Sequence, residues 1–449
     1  MFFKKGILLF IFIFTLCLPS YAEINQQKLM KKIVTAVEIT GNIQINEKEI
    51  FAQSGLKTIL TGRVFAHDLY RDVMAIYSMG FFKEVTVDLE PYRIGAKVIF
   101  KVKENEMVEK IKFNGVTVLN ERKIKKILKS KEKKILNDAY VSEDIKIIND
   151  TYLYNGYDLA NILSVEFDQT NKILRFNIDE GHIEEVSIEG NTRTKKYVIE
   201  RAIKSKKGDV FNSIKLAKDR DRVFKLGYFS QVFSPQISSG TATNNIKIKF
   251  KLIERKMNSI SGGLEQQESG VGVFTNLNLV NFLGTGELVS LKGQYGIDKT
   301  YLIRYYNPWL FNLAPVSLDT SFYLKNENSY VRTFDKNIRV KRLGWDLGFI
   351  IPFKDSVIFD IKYKSEGVNQ LNGTDLTPYS IKSIKGVLSI DGRDNKINPS
   401  KGSVIILSLE KSFKGINYSR YIGQGNIYFK LTKNLVFANR LTAGVFYSP

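Results

Sequence analysis

The sequence contains few of the residues that build catalytic or redox sites. Its single cysteine, Cys17, lies within the first 22 residues, which are expected to be removed, so the mature chain has no disulfide, thiol nucleophile or cysteine metal site. Its two histidines, His67 and His182, are expected to be structural or solvent-facing. No phosphate-binding glycine loop, paired metal-ligand spacing or nucleophile elbow is present. The sequence therefore predicts no enzyme, no catalytic residue, no metal and no cofactor.

Long apolar runs are equally scarce. After residue 22, no run reaches the roughly 18 residues that a membrane helix needs. At the start, Lys4 and Lys5 precede the apolar run Ile7–Leu18, and Ser20–Ala22 follows as a cleavage site, so residues 1–22 are predicted to be a signal peptide. If the mature chain spans a membrane, it must do so as a β-barrel.

Acidic residues are outnumbered, with 46 Asp and Glu against 67 Lys and Arg, which gives a formal net charge of +21. Clustered cations are typical of nucleic-acid-binding proteins. Here the lysines are spread along the chain and alternate with acids, as in residues 101–106. This pattern favours a solvated surface, and nucleic acid is not an expected partner. A basic balance also favours contact with anionic lipid headgroups.

An internal repeat is present in the first half of the chain. A short alternating strand ends in a Gly/Asn turn three times, at Gly41, Gly115 and Gly190, which are 74 and 75 residues apart. A second glycine follows in each copy, preceded by a helical pattern and followed by an aromatic residue, at Gly80, Gly156 and Gly227. Because a helix commonly ends in a left-handed residue, the second glycine of each copy is predicted to be a helix C-cap.

Each copy predicts the element order β-α-α-β-β over about 75 residues, which is large enough for a small core. In the first copy, the residues predicted to supply the buried faces of two helices are Ile50, Leu56, Phe65, Leu69, Val73 and Ile76. The copies are assigned to residues 33–104, 107–180 and 183–255. This order and the two glycines resemble POTRA domains, the periplasmic modules of the BamA family. The alternative is a generic α+β repeat with no binding role.

The strand after the second glycine is predicted to lie at a sheet edge, where unpaired backbone groups can bind an extended client by β-augmentation. The three predicted edges are 84–90, 162–168 and 231–237, and Pro235 is expected to limit the third. The edge residues proposed to bind clients are Val85, Val87, Leu163, Val165 and Val232.

From about Asn258 the helical pattern stops and strands of about ten residues alternate cleanly, as in Val357–Lys364. Eleven strands are predicted within 257–449, with short connections alternating with longer ones such as 326–337 and 367–379. Soluble sandwiches also alternate, but strand length and loop asymmetry favour an antiparallel transmembrane β-barrel.

Two turns in this region resemble the barrel of the BamA family of outer-membrane assembly factors. One follows the second predicted strand, and the other joins the eighth and ninth strands at the end expected to face the periplasm. Their matching residues are Asn281, Gly284 and Gly286 in the first turn, and Asp391, Arg393, Asp394, Asn395, Pro399 and Gly402 in the second. The charges of the second turn are expected to be structural and to brace the barrel near the third repeat.

The resemblance implies an outer-membrane protein whose repeats lie in the periplasm and receive unfolded outer-membrane clients, with outer-membrane lipid, periplasmic chaperones and accessory lipoproteins as partners. It also implies a lateral gate in the first barrel strand, at Ser259, Ser261, Gly262 and Gly263; a simple bend is the alternative role of the glycine pair. A dedicated secretion pore and a TamA-like factor remain alternatives. Since family barrels close at sixteen strands and carry a V-R-G-F loop, the chain is expected to be C-terminally incomplete.

Overall fold

The computed structural model describes residues 29–58, 60–267, 270–296, 298–310, 315–331, 336–354, 356–371, 377–396, 398–433 and 435–448. The predicted signal peptide lies outside these residues. None of the helices in the described part of the chain is long and apolar enough to cross a membrane. The chain divides into two compact units. One holds the first two repeats and segments 183–186, 205–217 and 237–248 of the third, and the other holds the rest of the third repeat and all that follows.

The first repeat has the predicted element order. Its elements are β1 (Val34–Thr40), α1 (Glu47–Ser54), α2 (Ala66–Ser78), β2 (Phe82–Tyr92) and β3 (Gly95–Glu104). The strand order is β1-β3-β2, with β1 parallel and β2 antiparallel to the central β3. Strand β2 therefore lies at an edge, as the sequence predicts.

The second repeat has the same topology with two added short strands. Its elements are β4 (Met107–Val108), β5 (Lys110–Asn114), α3 (Glu121–Ile127), β6 (Lys134–Ile135), α4 (Asp138–Tyr154), β7 (Asn161–Asp168) and β8 (Ile173–Asp179). The order β5-β8-β7 again places the predicted edge strand, β7, beside a central strand that is parallel to the first.

The third repeat differs at its edge. Its elements are β9 (Ile183–Glu189), α5 (Lys196–Glu200), α6 (Ser213–Lys225), β10 (Phe229–Val232), β11 (Gln236–Ser239) and β12 (Ile246–Glu254). The single predicted strand 231–237 is two strands, β10 and β11, because Pro235 between them has no N–H to donate. Strand β12 pairs with β9, β10 and β11.

The helices bury the face that their periodicity predicts, with one exception in the first repeat. Ile50 and Ile76 are fully buried in the core of the repeat, and Leu69 is also buried. Phe65, which was predicted to be buried, is 40% exposed because it precedes α2 as its N-cap residue, and its ring contacts that of His67 in a tilted arrangement instead. Periodicity fails there because a cap residue does not have helical backbone angles.

The remaining strands form one antiparallel sheet of eleven strands in the described residues, in sequence order. They are β13 (Ser259–Gln267), β14 (Gly270–Phe282), β15 (Glu287–Tyr295), β16 (Lys299–Asn307), β17 (Ser317–Val331), β18 (Lys336–Lys354), β19 (Val357–Gln370), β20 (Tyr379–Asp391), β21 (Gly402–Gly415), β22 (Ser419–Lys430) and β23 (Val436–Tyr447). This is the predicted number of strands and the predicted antiparallel arrangement.

One predicted loop is wrong. Residues 326–337 were expected to form a long connection, but β17 continues to Val331 and β18 begins at Lys336. The paired segment includes Glu327 opposite Val340. Strand ladders can continue in water beyond a membrane, so the polar composition of this segment did not mark a loop.

The sheet carries its polar side chains on a buried face and its apolar side chains on an exposed one. Glu366 is only 4% exposed and accepts hydrogen bonds from Tyr323 Oη at 2.6 Å and Arg342 Nη1 at 3.1 Å. Leu343 and Leu264, in contrast, are 61% and 76% exposed. This inverted arrangement is the pattern of a transmembrane barrel with a polar interior.

Candidate functional site

The first glycine of each repeat sits where no side chain fits. Gly41, Gly115 and Gly190 have φ angles of 88°, 82° and 95°. A Cβ at any of the three would overlap the carbonyl oxygen of a residue in the neighbouring central strand. Each glycine thus lets the chain leave the first strand while staying against the last strand of the same repeat.

The second glycine of each repeat has the predicted left-handed conformation, with φ of 82° at Gly80, 82° at Gly156 and 78° at Gly227. Each donates its N–H to the carbonyl three residues earlier, which ends the helix.

These glycines also mark the joints between successive repeats. The side-chain amide of Asn137 donates to the carbonyl of Met79 at 2.8 Å, and that of Asn212 donates to the carbonyl of Asn155 at 2.8 Å. In both joints, the asparagine precedes the long helix of the next repeat and contacts the residue before the glycine. The sequence analysis missed this contact, although the recurring Asn signals it.

A recurring glutamate, also missed from the sequence, ties the end of each repeat to its beginning. Glu104, Glu180 and Glu254 follow or end the last strand and lie 76 and 74 residues apart. Each accepts hydrogen bonds from backbone N–H groups in the turn after the first glycine. Their spacing could have revealed them, but a carboxylate that binds main chain leaves no hydrophobic pattern.

A buried aspartate recurs in the second helix of each repeat at Asp72, Asp144 and Asp219, where each is at most 1% exposed. It accepts hydrogen bonds from N–H groups after the first helix. The carboxylate therefore joins the segment after the first helix to the side of the second helix. Its charge-assisted hydrogen bonds compensate the cost of removing these N–H groups from water.

The pH dependence of stability tests the role of Glu254, the recurring glutamate of the third repeat. Partial burial alone would raise the pKa of Glu254, but hydrogen bonds from Thr194, Thr192 and Arg193 outweigh it and hold that pKa below its ordinary value. A lowered folded-state pKa stabilises the repeat above the unfolded-state pKa of about 4.3, and this contribution is lost as pH falls through the folded-state pKa. We expect Glu254→Gln to remove this part of the pH dependence.

The measurement is the urea midpoint of a fragment spanning residues 29–255 as a function of pH from about 6 downward. Glu189→Gln is the control, since Glu189 is an exposed partner of Lys249 in the same repeat. Equal acid sensitivity of Glu254→Gln and the unsubstituted fragment would contradict the role of Glu254.

The proposed client-binding residues all lie on edge strands, but most point inward. Val85 and Val87 pack against the core of the first repeat, and Val165 packs against that of the second. Val232 is half-buried, whereas Leu163 is 67% exposed at an irregularity in β7. A client on these edges would therefore meet the backbone of the valines rather than their side chains.

Each edge strand begins with a bulge. The register shifts between Phe82 and Glu84 in β2, between Ile162 and Ser164 in β7, and within Phe229–Gln231 in β10. A bulge twists an edge and limits pairing there. The regular run beyond it is longest in β2, which continues to Tyr92.

The first strand of the large sheet, β13, contains the proposed gate residues Ser259, Ser261, Gly262 and Gly263. It pairs with β14 through nine residue pairs and lies at an edge of the described sheet. A Cβ at Gly262 would lie 3.1 Å from the carbonyl oxygen of Phe274, so the glycine pair permits a close approach of the two strands.

The turn after β14 is fastened to the third repeat. Asn281 is buried, donates to Thr194 Oγ1 at 2.8 Å and accepts the N–H of Gly286 at 2.7 Å. The carbonyl of Gly284 accepts the N–H of Lys195 at 2.8 Å. All three residues that the sequence singled out in this turn therefore contribute to one junction.

Tyr228 completes this junction by donating its hydroxyl to the carbonyl of Gly286 at 2.8 Å. Burial raises the pKa of Tyr228 to about 12, so the hydroxyl keeps its proton and remains a donor. Gly284 has a φ of 79°, and a Cβ there would overlap the carbonyl oxygen of Arg193.

In the turn between β20 and β21, the eighth and ninth strands of the sheet, charged side chains form hydrogen bonds with other groups of the same turn. Arg393 donates to both oxygens of Asp391 at 2.9 Å. Asp394 accepts the N–H groups of Ser400 and Lys401 at 2.9 and 3.1 Å. These bonds, with that of the Ser400 hydroxyl foremost, hold the pKa of Asp394 well below its usual range.

Three further residues shape the same turn. Asn395 accepts the N–H of Asn398 at 3.0 Å, Pro399 follows, and Gly402 begins β21 with a φ of 104°. The predicted bracing against the third repeat stays a prediction for this turn, whereas the Asn281–Gly286 turn makes such contacts.

Comparison with protein families gives two matches. The POTRA model, described as the surface antigen variable number repeat, matches residues 107–181 and 182–255. The Omp85 superfamily domain matches residues 281–448.

Curated relatives include two outer membrane protein assembly factors named BamA. That of Nitratidesulfovibrio vulgaris is 24% identical over 85% of this chain and 52% of the relative, and that of Neorickettsia risticii is 22% identical over 81% and 52%. The chain thus spans about half the length of these relatives.

Solved structures share the fold. BamA from Haemophilus ducreyi lacking POTRA domains 1–3 matches with a TM-score of 0.50 and 16% identity, covering 76% of this chain and 71% of that one. CdiB from Escherichia coli matches with a TM-score of 0.53 and 12% identity, covering 76% and 68%. With POTRA repeats leading into an Omp85 superfamily domain, this chain is similar to the outer membrane protein assembly factors named BamA.

Proposed function

We propose that this chain is an outer-membrane protein assembly factor, which receives unfolded β-barrel clients on the edge strands of its periplasmic repeats and passes them to the first strand of its barrel. One observation carries the proposal: repeats with an open sheet edge are followed directly by a sheet whose polar face is buried and whose apolar face is exposed. Strand β12 ends at Glu254 and β13 begins at Ser259, so only four residues separate a repeat from the barrel. The named relatives that share this organisation are assembly factors.

The edge strands suit clients of many sequences. An added strand gains affinity from main-chain hydrogen bonds, which do not depend on client side chains. The inward-facing valines keep the repeat folded while their backbone faces outward. We expect β2 to hold clients most firmly, because its regular run, 84–92, is the longest of the three.

The barrel supplies the second half of the mechanism. A client strand that adds to β13 would extend the sheet in the membrane, and the glycine pair Gly262-Gly263 gives that strand few side-chain contacts to hold it closed. The driving force is the folding of the client itself, since a completed ladder satisfies backbone groups that lipid cannot. This process requires no nucleotide. Chaperones and lipoproteins in the periplasm would deliver clients to the repeats.

Depletion of the protein tests this function. A general assembly factor should cause many unrelated outer-membrane barrels to decrease together, because all of them depend on one insertion machine. Quantitative proteomics of outer membranes during depletion is the measurement. A dedicated secretion pore, the alternative, should leave every barrel but its single client unchanged. A TamA-like factor should affect only a subset.

A proline at Val232 tests the edge model. Phe233 donates its N–H to the carbonyl of Lys251 at 3.1 Å, so the N–H of the preceding Val232 points away from β12 toward the open edge. Val232→Pro removes that one outward donor. We expect photo-cross-linking of a client to residue 231 to fall roughly 3- to 10-fold, the value of one hydrogen bond.

Val232→Ala is the matched control, since it shortens the same side chain and keeps the N–H. Val165→Pro is the corresponding change in β7. If both proline variants cross-link clients as well as the alanine variant does, clients do not bind by β-augmentation at these edges.

A further inference from the structure

A basic cleft of about 290 Å³ opens beside the junction of the third repeat with the barrel. Helices α5 and α6 and the residues after them form one wall, and the connection that follows β16 forms the other. The cations of the cleft are Arg201, Arg222 and Lys225, and its aromatic residues are Tyr228 and Trp309. All of these residues belong to the second compact unit.

Arg201 is held between two aromatic rings. Its guanidinium carbon lies 4.5 Å from the ring centre of Tyr197 and 5.4 Å from that of Trp309. Burial lowers the pKa of Arg201, although the guanidinium stays charged at neutral pH. A charge in such a partly desolvated place interacts strongly with an anion beside it.

One of the three cations of the cleft is neutralised by a carboxylate. Asp219 is fully buried, pairs with Arg222 and accepts the N–H of Lys204 at 2.7 Å. Glu287 acts on Arg201 from a distance and accepts a hydrogen bond from the Asn307 side chain at 3.2 Å. Arg222 is thus paired with Asp219, whereas Arg201 lies over the two aromatic rings and Lys225 is exposed at the opening.

The cleft lies at the end of the sheet that contacts the third repeat. Trp309 lies two residues after the end of β16, and β16 and β14 end at the same side of the antiparallel sheet, where the turn after β14 contacts the third repeat. With Tyr305 and Tyr306 just before it, Trp309 forms part of an aromatic set of the kind that marks a membrane–water interface.

We propose that this cleft binds the phosphate of an anionic glycerophospholipid in the periplasmic leaflet of the outer membrane. The proposal rests on the membrane placement of the barrel under the proposed function. Arg201 and Lys225 contact the phosphate, Trp309 packs against the glycerol and upper acyl region, and Arg222 stays braced by Asp219. Bound lipid would fix the third repeat against the membrane surface.

The test uses the two tryptophans of the sequence, Trp309 and Trp345. With Trp345→Phe in the full chain, Trp309 alone reports lipid contact. The protein is reconstituted in vesicles containing brominated phosphatidylglycerol or, at the same fraction, brominated phosphatidylcholine. We expect the fluorescence of Trp309 to be quenched more strongly by the anionic lipid than by phosphatidylcholine. This preference for the anionic lipid should fall roughly 10- to 30-fold in Arg201→Gln/Lys225→Gln, because each cation near such a surface contributes about 1 kcal/mol to binding.

The control Lys207→Gln/Lys251→Gln removes the same charge outside the cleft and should keep the full preference. Lys225→Gln alone, at an exposed position, should lower it roughly 5-fold even if the double variant does not fold. Equal quenching by the two lipids, or loss of the preference on adding inorganic phosphate, would overturn the lipid site alone. Absence of quenching by either lipid would overturn the membrane placement as well.

Discussion

Gly190→Ala is expected to destabilise the third repeat strongly, whereas Gly208→Ala in the same repeat is expected to have a mild effect. Both glycines are left-handed, with φ of 95° and 87°. Either alanine therefore carries the strain of that conformation, about 1–2 kcal/mol. Only at residue 190 does the new Cβ also overlap the carbonyl oxygen of Leu252, while nothing lies within 4 Å of a Cβ at residue 208.

The overlap at residue 190 should add about 1–3 kcal/mol, as overpacking in a core does, so the free energy of unfolding should fall by about 2–5 kcal/mol in Gly190→Ala. Urea unfolding of the fragment 29–255 measures both variants. A difference between them smaller than about 1 kcal/mol would show that the strand can shift to make room. Gly115→Ala should repeat the effect in the second repeat, where the Ile178 carbonyl takes the place of the Leu252 carbonyl.

Asp144→Ala is expected to destabilise the second repeat by about 2–4 kcal/mol, because it leaves one buried and one partly buried N–H group without their carboxylate acceptor. Asp144 is fully buried, and its carboxylate accepts the N–H groups of Lys129 and Ser130, the latter at 3.0 Å. Asp144→Asn should lose less, since one carbonyl oxygen remains as an acceptor.

Asp150→Ala in the same helix is the matched control. Asp150 is exposed, and surface substitutions of this kind usually change stability by less than about 0.5 kcal/mol. If Asp144→Ala and Asp150→Ala lower the free energy of unfolding equally, the hydrogen bonds of the buried carboxylate do not stabilise the repeat. Hydrogen exchange at Lys129 and Ser130 gives a local readout, since their amides should exchange faster in Asp144→Ala.

Much of the fold could be predicted because it depends on local patterns. The two glycines of each repeat have conformations that few other residues adopt, and strands of strict alternation marked the eleven-stranded sheet. The features that were missed depend on contacts between distant residues. Glu254 and Thr194 are 60 residues apart, and Asn281 and Thr194 are 87 apart, so no window of sequence contains both partners.

The edge strands also have details that could not be predicted from the sequence. The position of β2, β7 and β10 at sheet edges followed from element order, but the bulges that shift their register did not. A bulge changes which residues face the core without changing composition, and this is why Val85 points inward while Leu163 points out. The backbone, which the client is proposed to bind, is the part of the edge that the sequence describes least.

The junction turn has a consequence for the order in which the chain folds. Asn281 and Leu283 are non-glycine residues with φ of 55° and 52°, and such a conformation costs about 1 kcal/mol or more for each. This turn forms hydrogen bonds with Thr194, Lys195 and Tyr228, residues made earlier in synthesis. The second hairpin of the barrel, β14–β15, should thus take its final shape only on a third repeat that has already folded. The third repeat would then act as a template for the barrel of its own chain.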